Sequence, residues 1–316
     1  MRAVRVDAPG SAEVVEAPDP IAIDGEVVVR VERAAMCATD MKLAARGADP
    51  PRIPGHEVAG RLPDGTLVGV HPDIGCGRCA FCRDGFENRC PARVSIGIDR
   101  DGGFADLVAV PTGHALPVGE LDVDLVPLLE PLACCLHAVE IMGAGPGDSA
   151  LVVGAGAMGV LSMWALQARG AQVVISQRSR ARREQAADLG ADRVLEAGED
   201  PAPVLGRPPG FAMVTAPGAI PLRTALERVA TGGVVHAFAG SPHGAEVDAN
   251  LIHYRHLSLV GSTGSTLSDY AGAIEAVSTG AIPLAKLPTT IIDLNELPDA
   301  LAHRASANVL KTLVKL

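Results

Sequence analysis

Through about residue 120, apolar and polar positions alternate in short runs broken by glycine and proline, the period of half-buried strands. Residues 27–31 form one such run, and 66–70 another, opened by the turn Pro63-Asp64-Gly65. Many short strands with few helices predict a small barrel or sandwich. The pattern then changes. Residues 126–142 read as a helix, 150–153 as a buried strand, 158–169 as a helix, 173–176 as a strand and 179–189 as a long charged helix. Strand and helix recurring at this spacing predict a doubly wound parallel sheet, extended by the apolar runs 233–239 and 257–260. From about 264 the chain returns to mixed helix and strand.

A length of 316 residues exceeds one comfortable core and implies two domains. With 48% hydrophobic and 20% charged residues, a soluble globular protein is expected. The net charge of −10 opposes a nucleic-acid or anionic-membrane partner. The apolar runs are too short, or too broken by glycine, for a membrane span. The first seven residues alternate like a strand and lack the apolar stretch of a signal peptide, so a cytoplasmic location is expected. In that reducing compartment the seven cysteines point to metal ligation before disulfides.

Four of them, Cys76, Cys79, Cys82 and Cys90, follow the spacing C-x2-C-x2-C-x7-C in a glycine-containing loop. Four thiolates from one compact loop can wrap a single ion tetrahedrally, the geometry of structural zinc. An iron–sulfur cluster is the chemical competitor. Such a site has no spare ligand, so its expected role is to shape and stabilise the loop.

A second motif runs from a strand, Leu151-Val152-Val153, through Gly154-Ala155-Gly156-Ala157-Met158-Gly159 into a helix. Gly154 permits the tight turn, Gly156 lets the backbone approach a pyrophosphate, and Gly159 allows close helix–strand packing. This is a dinucleotide-binding loop by both spacing and context. An NAD site usually places Asp or Glu at the end of the next strand, on the ribose 2′-hydroxyl. Here the chain reads Ser176-Gln177-Arg178-Ser179-Arg180. No carboxylate stands there, and Arg178 and Arg180 can neutralise a 2′-phosphate. NADP is therefore expected over NAD.

Cys37, His56-Glu57 and Glu130 each have an ordinary structural explanation when taken singly. Together with the glycine loop and the cysteine lobe, they make the chain from Met1 to Leu316 resemble the zinc-containing medium-chain alcohol and polyol dehydrogenases. The resemblance includes Gly55-His56-Glu57, Asp101-Gly102-Gly103-Phe104-Ala105, Glu130-Pro131-Leu132, Asn250 and Gly261-Ser262. It implies an α/β protein with a GroES-like β-rich catalytic domain over 1–131 and 264–316. A Rossmann domain is inserted at 132–263, with the active site in the cleft between the two. It implies two zinc ions per chain, one structural and one catalytic. Cys37 and His56 are then ligands of the catalytic ion, and Glu57, Glu130 or water completes its shell. Zinc lowers the pKa of an alcohol, so that hydride can leave for the nicotinamide. Thr39 occupies the position that takes the alcohol proton, and Asp40 matches the carboxylate that orients the histidine. Lys311 matches a basic position that meets the cofactor pyrophosphate.

The chain departs from the family where a histidine often completes a proton relay, because Lys42 stands there. The segment between Glu57 and Cys76 is also short, as though a barrel hairpin had been trimmed. Cys134 and Cys135 lack metal spacing and read as packing residues, and His137 receives no catalytic role. Substrate size is expected to be set near Phe104, Lys42 and residues 39–50. The implied activity is interconversion of a secondary alcohol or polyol and its ketone. Glu130 in place of a third thiolate inclines this towards polyhydroxylated substrates. The alternatives are a zinc-free double-bond reductase on the same fold and a non-catalytic NADPH-binding sensor. Family members pair through the Rossmann sheet edge, so a homodimer or homotetramer is expected, with 234–239 and 257–260 as candidate interface strands.

Overall fold

The computed structural model describes residues 1–241, 243–303, 306 and 308–316. The chain divides into two compact units. One comprises Met1–Ala133, Gly264–Ser278 and Pro288–Leu316; the other comprises Cys134–Thr263 and Thr279–Leu287. The expected boundaries lay at 131/132 and 263/264, and the chain also returns to the second unit over 279–287.

Among the described residues the first unit carries a seven-stranded sheet. Its order is Thr289–Asp293, Lys311–Lys315, Glu26–Met36, Glu57–Arg61, Leu67–Val70 and Ala115–Pro117, and Leu107–Pro111 also pairs with Glu26–Met36. Valines at every second position fill its interior: Val29, Val31, Val58, Val68 and Val70 share one buried cluster with Ile96. Register places the site. Ala35 pairs with Glu57, and Met36 with Thr312, so Cys37, Glu57 and Lys311 meet at one end of three adjacent strands. The hairpin from Glu57–Arg61 to Leu67–Val70 closes in a tight turn, with Leu62 N–H donating to the Thr66 carbonyl at 3.0 Å. Phe104 is fully buried, packed with Ala3, Val4, Ile53 and Leu297.

The second unit holds a six-stranded, wholly parallel sheet. Its order is Arg193–Glu196, Gln172–Gln177, Ser149–Val153, Phe211–Val214, Val234–Ala237 and Ser258–Val260. Ser149–Val153 is buried throughout because both neighbours and the covering helices exclude water. Helix Ala157–Ala168 buries Val160, Leu161, Met163, Trp164 and Leu166, each contributing roughly 1.5–3 kcal/mol of transfer free energy. Of the two candidate interface strands, Val234–Ala237 is flanked on both sides and offers no free edge, whereas Ser258–Val260 lies at one of the sheet's two edges. Among the described residues, no helix is long and apolar enough to cross a membrane.

Candidate functional site

Helix Ala38–Arg46 starts directly after strand Glu26–Met36, with Cys37 as its N-cap. Asp40, in the first turn, braces that junction. One carboxylate oxygen accepts the Cys37 N–H at 2.8 Å, and the other accepts the Gly55 N–H at 3.3 Å. The second oxygen also lies 3.4 Å from His56 Nδ1. This is long for a hydrogen bond, and His56 Nδ1 has no other partner among the described residues. Donor atoms of Cys37, His56 and Glu57 all lie within 4.8 Å of one another. His56 and Glu57 are buried and Cys37 half-buried. Burial opposes a charged His56, but Asp40 and then Cys37 outweigh it and hold the imidazole well above its usual range. Thr39 Oγ1 sits 3.9 Å from Cys37 Sγ, and Lys42 is exposed on the same helix.

Lys311 Nζ contacts both carboxylate oxygens of Glu57 and lies 3.3 Å from the Met36 carbonyl. Burial would discharge the ammonium; Glu57, then Cys37 and Glu130, keep its pKa well above the ordinary lysine value. Glu130 is buried in the first turn of helix Leu129–Met142, and its carboxylate lies outside the set of three.

The four lobe sulfurs of Cys76, Cys79, Cys82 and Cys90 form a second set within 4.8 Å. Cys79 Sγ caps the short helix Ala80–Arg83, accepting the Cys82 N–H at 3.5 Å, and Cys90 Sγ accepts the Cys76 N–H at 3.4 Å. Backbone N–H groups of Arg78 and Cys79 pull the Cys76 thiol down to about 6, while desolvation pushes Cys82 up to about 12. Four soft donors at these separations suit zinc in the lobe, and the sulfur–nitrogen–oxygen set at Cys37 suits zinc with an open position. Cys135, by contrast, bonds Ser162 at 3.4 Å and the Met158 carbonyl at 3.7 Å, as a packing residue.

In the second unit Gly154 adopts φ +113° after strand Ser149–Val153, and Gly156 caps helix Ala157–Ala168. A Cβ on Gly159 would lie 2.0 Å from the Gly154 carbonyl oxygen, so only glycine lets helix and strand approach this closely. Gly156 faces open space and Met158 is half-buried. Beyond strand Gln172–Gln177, Gln177 Oε1 accepts the Ser179 N–H at 3.2 Å and Arg178 is exposed. Arg180 pairs with Glu184 at 2.8 Å, and Arg183 Nη1 donates to the Gln177 and Arg178 carbonyls, both at 2.8 Å.

Residues 23–120 match the alcohol dehydrogenase GroES-like domain, and 157–279 match the zinc-binding dehydrogenase model. The chain is 31% identical over 318 residues to a D-altritol 5-dehydrogenase of Agrobacterium fabrum, covering 94% of each protein. The chain belongs to the zinc-dependent medium-chain dehydrogenases. A solved zinc-binding dehydrogenase from Sinorhizobium meliloti 1021, bound to NADP, superposes on this dehydrogenase with TM-score 0.93 at 30% identity, covering 100% and 99% of the two chains. An alcohol dehydrogenase from Escherichia coli CFT073, complexed with NADH, gives TM-score 0.92 at 26% identity, with the same coverage. It is thus an NAD(P)-dependent alcohol dehydrogenase with a GroES-like domain and a Rossmann-type parallel sheet.

Within the dehydrogenase Lys311 is buried against Glu57, because strand Lys311–Lys315 pairs with Glu26–Met36 beside the Cys37 turn. Sequence reasoning had no signal for this pair, whose members lie 254 positions apart. It also passed over Tyr270, which belongs to no motif.

Proposed function

We propose that this dehydrogenase interconverts a secondary hydroxyl of a polyol and its ketone, using NADP, with one zinc held by Cys37 and His56 and another by the four-cysteine lobe. The carrying observation is the convergence of Cys37, His56 and Glu57 donor atoms within 4.8 Å, against a helix start braced by Asp40. Zinc, when bound, supplies the Lewis acidity that lowers an alcohol's pKa, and the nicotinamide accepts the hydride. The chain's own side chains do the rest. Asp40 orients His56 through Nδ1, leaving Nε2 for the ion. Thr39, beside Cys37, takes the hydroxyl proton, and Lys42 or water passes it to solvent. Glu57 shares its charge with Lys311, so Glu57, Glu130 and water compete for the remaining ligand position. Glu130, in place of a third thiolate, and the D-altritol-oxidising relative both support a polyhydroxylated substrate.

Gly154, Gly156, Met158 and Gly159 cradle the pyrophosphate, and Gln177 and Arg178 meet the adenosine ribose. Arg180 is engaged by Glu184, which leaves Arg178 as the cation for a 2′-phosphate. The edge strand Ser258–Val260, with Leu259 and the nearby Tyr254 exposed, supports pairing into a homodimer or homotetramer. The net charge of −10 supports a reading without a nucleic-acid or anionic-membrane partner, and the cytoplasm is the proposed location.

Elemental analysis of the purified protein is the test, followed by a screen of polyols and ketoses coupled to NADP and NADPH. About two zinc ions per chain and turnover of a polyol support the proposal; about one ion, in the lobe, and no turnover overturn it. Asp40→Asn is expected to weaken zinc at the Cys37–His56 site about ten- to hundredfold, read by chelator competition, with the lobe ion unaffected. Arg178→Ala is expected to raise KM for NADP about ten- to hundredfold, the worth of one charge-assisted hydrogen bond, while KM for NAD stays within about twofold.

A further inference from the structure

Among the described residues Tyr270 is the bulkiest fully buried side chain, yet its hydroxyl has no hydrogen-bond partner. A buried phenol ordinarily finds one, and an orphan asks for an explanation. The surroundings hold the ring with its oxygen inward. Strand Leu67–Val70 presents Gly69 to it: a Cβ there would lie 2.3 Å from Oη and 3.1 Å from Val126 Cγ1. His71 stands edge-on at 5.7 Å, its own Nε2 3.1 Å from the Ser265 carbonyl oxygen.

The helix bearing Tyr270, Leu267–Ser278, is pinned at its start. Glu87, from the cysteine lobe, accepts the Leu267 N–H. Asp269 accepts the Thr266 N–H at 2.8 Å and its hydroxyl at 2.7 Å. On the opposite side, Val126 opens the turn Val126–Leu128 that leads into Glu130. Burial, then the charge of Glu130, then that of Glu57, keep the phenol proton in place well beyond the ordinary tyrosine range. The result is a buried, neutral O–H donor, without a partner among the described residues, beside the turn that leads into Glu130.

We propose that Tyr270 is a positioning residue for the metal centre: its hydroxyl donates through one bound water to the Glu130 carboxylate, and so sets how readily Glu130 exchanges at the ion. This rests on the Cys37–His56 site holding zinc, as proposed above. Partners of this kind orient ligand groups, and their loss typically weakens metal binding ten- to hundredfold.

The test is zinc release from the zinc-loaded enzyme to a chromogenic chelator, the Cys37–His56 phase being the one absent from His56→Ala. Tyr270→Phe, which removes one oxygen, is expected to speed that phase about ten- to hundredfold and to leave the lobe phase unchanged. Gly69→Ala, whose Cβ displaces the phenol, is expected to do the same. In a Glu130→Gln background Tyr270→Phe is expected to change release by less than about twofold, since the two act through one contact. Wild-type release from Tyr270→Phe, or an equal acceleration in the Glu130→Gln background, overturns the assignment while leaving the metal site standing. A wild-type enzyme that shows only the lobe phase overturns the metal site, and this inference with it.

Discussion

Replacing His56 with alanine is expected to cut turnover at least about a thousandfold and to lower zinc from about two ions per chain to about one. The size follows from what is removed. Metal-assisted charge stabilisation contributes several kcal/mol to the barrier, and each 1.36 kcal/mol is about tenfold in rate. His56 is also the only nitrogen donor of its set, beside a thiol and a carboxylate already engaged by Lys311. Without it, Asp40 loses the ring it faces at 3.4 Å, and Cys37 is left with a single carboxylate neighbour. Turnover and zinc content measured on the same preparation check the prediction. If turnover survives while zinc falls, the Cys37–His56 ion is not catalytic.

Removing the lobe site is expected to act on stability first. Cys90→Ala should cost one zinc ion, expose residues 76–90 to proteolysis and lower the thermal midpoint on the order of 10 °C. The lobe has almost no apolar core of its own: Asn88 and Cys90 are its buried residues, while Phe81 and Phe86 are exposed. Structural zinc in so small a loop would supply folding free energy that burial cannot, with apparent binding on the order of 10 kcal/mol. Because Glu87 of the lobe accepts the Leu267 N–H, opening the lobe also frees the start of helix Leu267–Ser278. Zinc analysis, limited proteolysis and a thermal melt read the three effects. A variant that keeps its midpoint and its resistance to protease would show that the lobe folds without metal.

Much of this enzyme was legible in its sequence, and the reason is locality. The four lobe cysteines lie within one loop, so their spacing alone brings the sulfurs together. The glycine loop likewise needs only the strand before it and the helix after it, and the backbone adopts the anticipated turn at Gly154. Elements with a clear period, such as the strands Ser149–Val153 and Gln172–Gln177, fall where alternation and apolar runs place them. Shorter elements escaped. Strand Phe211–Val214 is four residues between a glycine and a turn, too short to carry a period, though it lies at the centre of the parallel sheet. Helix Ala38–Arg46 was hidden because its start is set by Asp40 reaching back to Cys37, a cap with a cysteine where a hydroxyl or carboxylate usually stands. Cys37, His56 and Glu57 were recognisable by resemblance, but their approach to within 4.8 Å depends on the register Ala35–Glu57. The Glu57–Lys311 pair and the seating of Tyr270 over Gly69 belong to tertiary structure alone. Each joins residues far apart in the chain, and only strand pairing and helix docking, driven by burial of the valine-rich sheet, decide which of them meet.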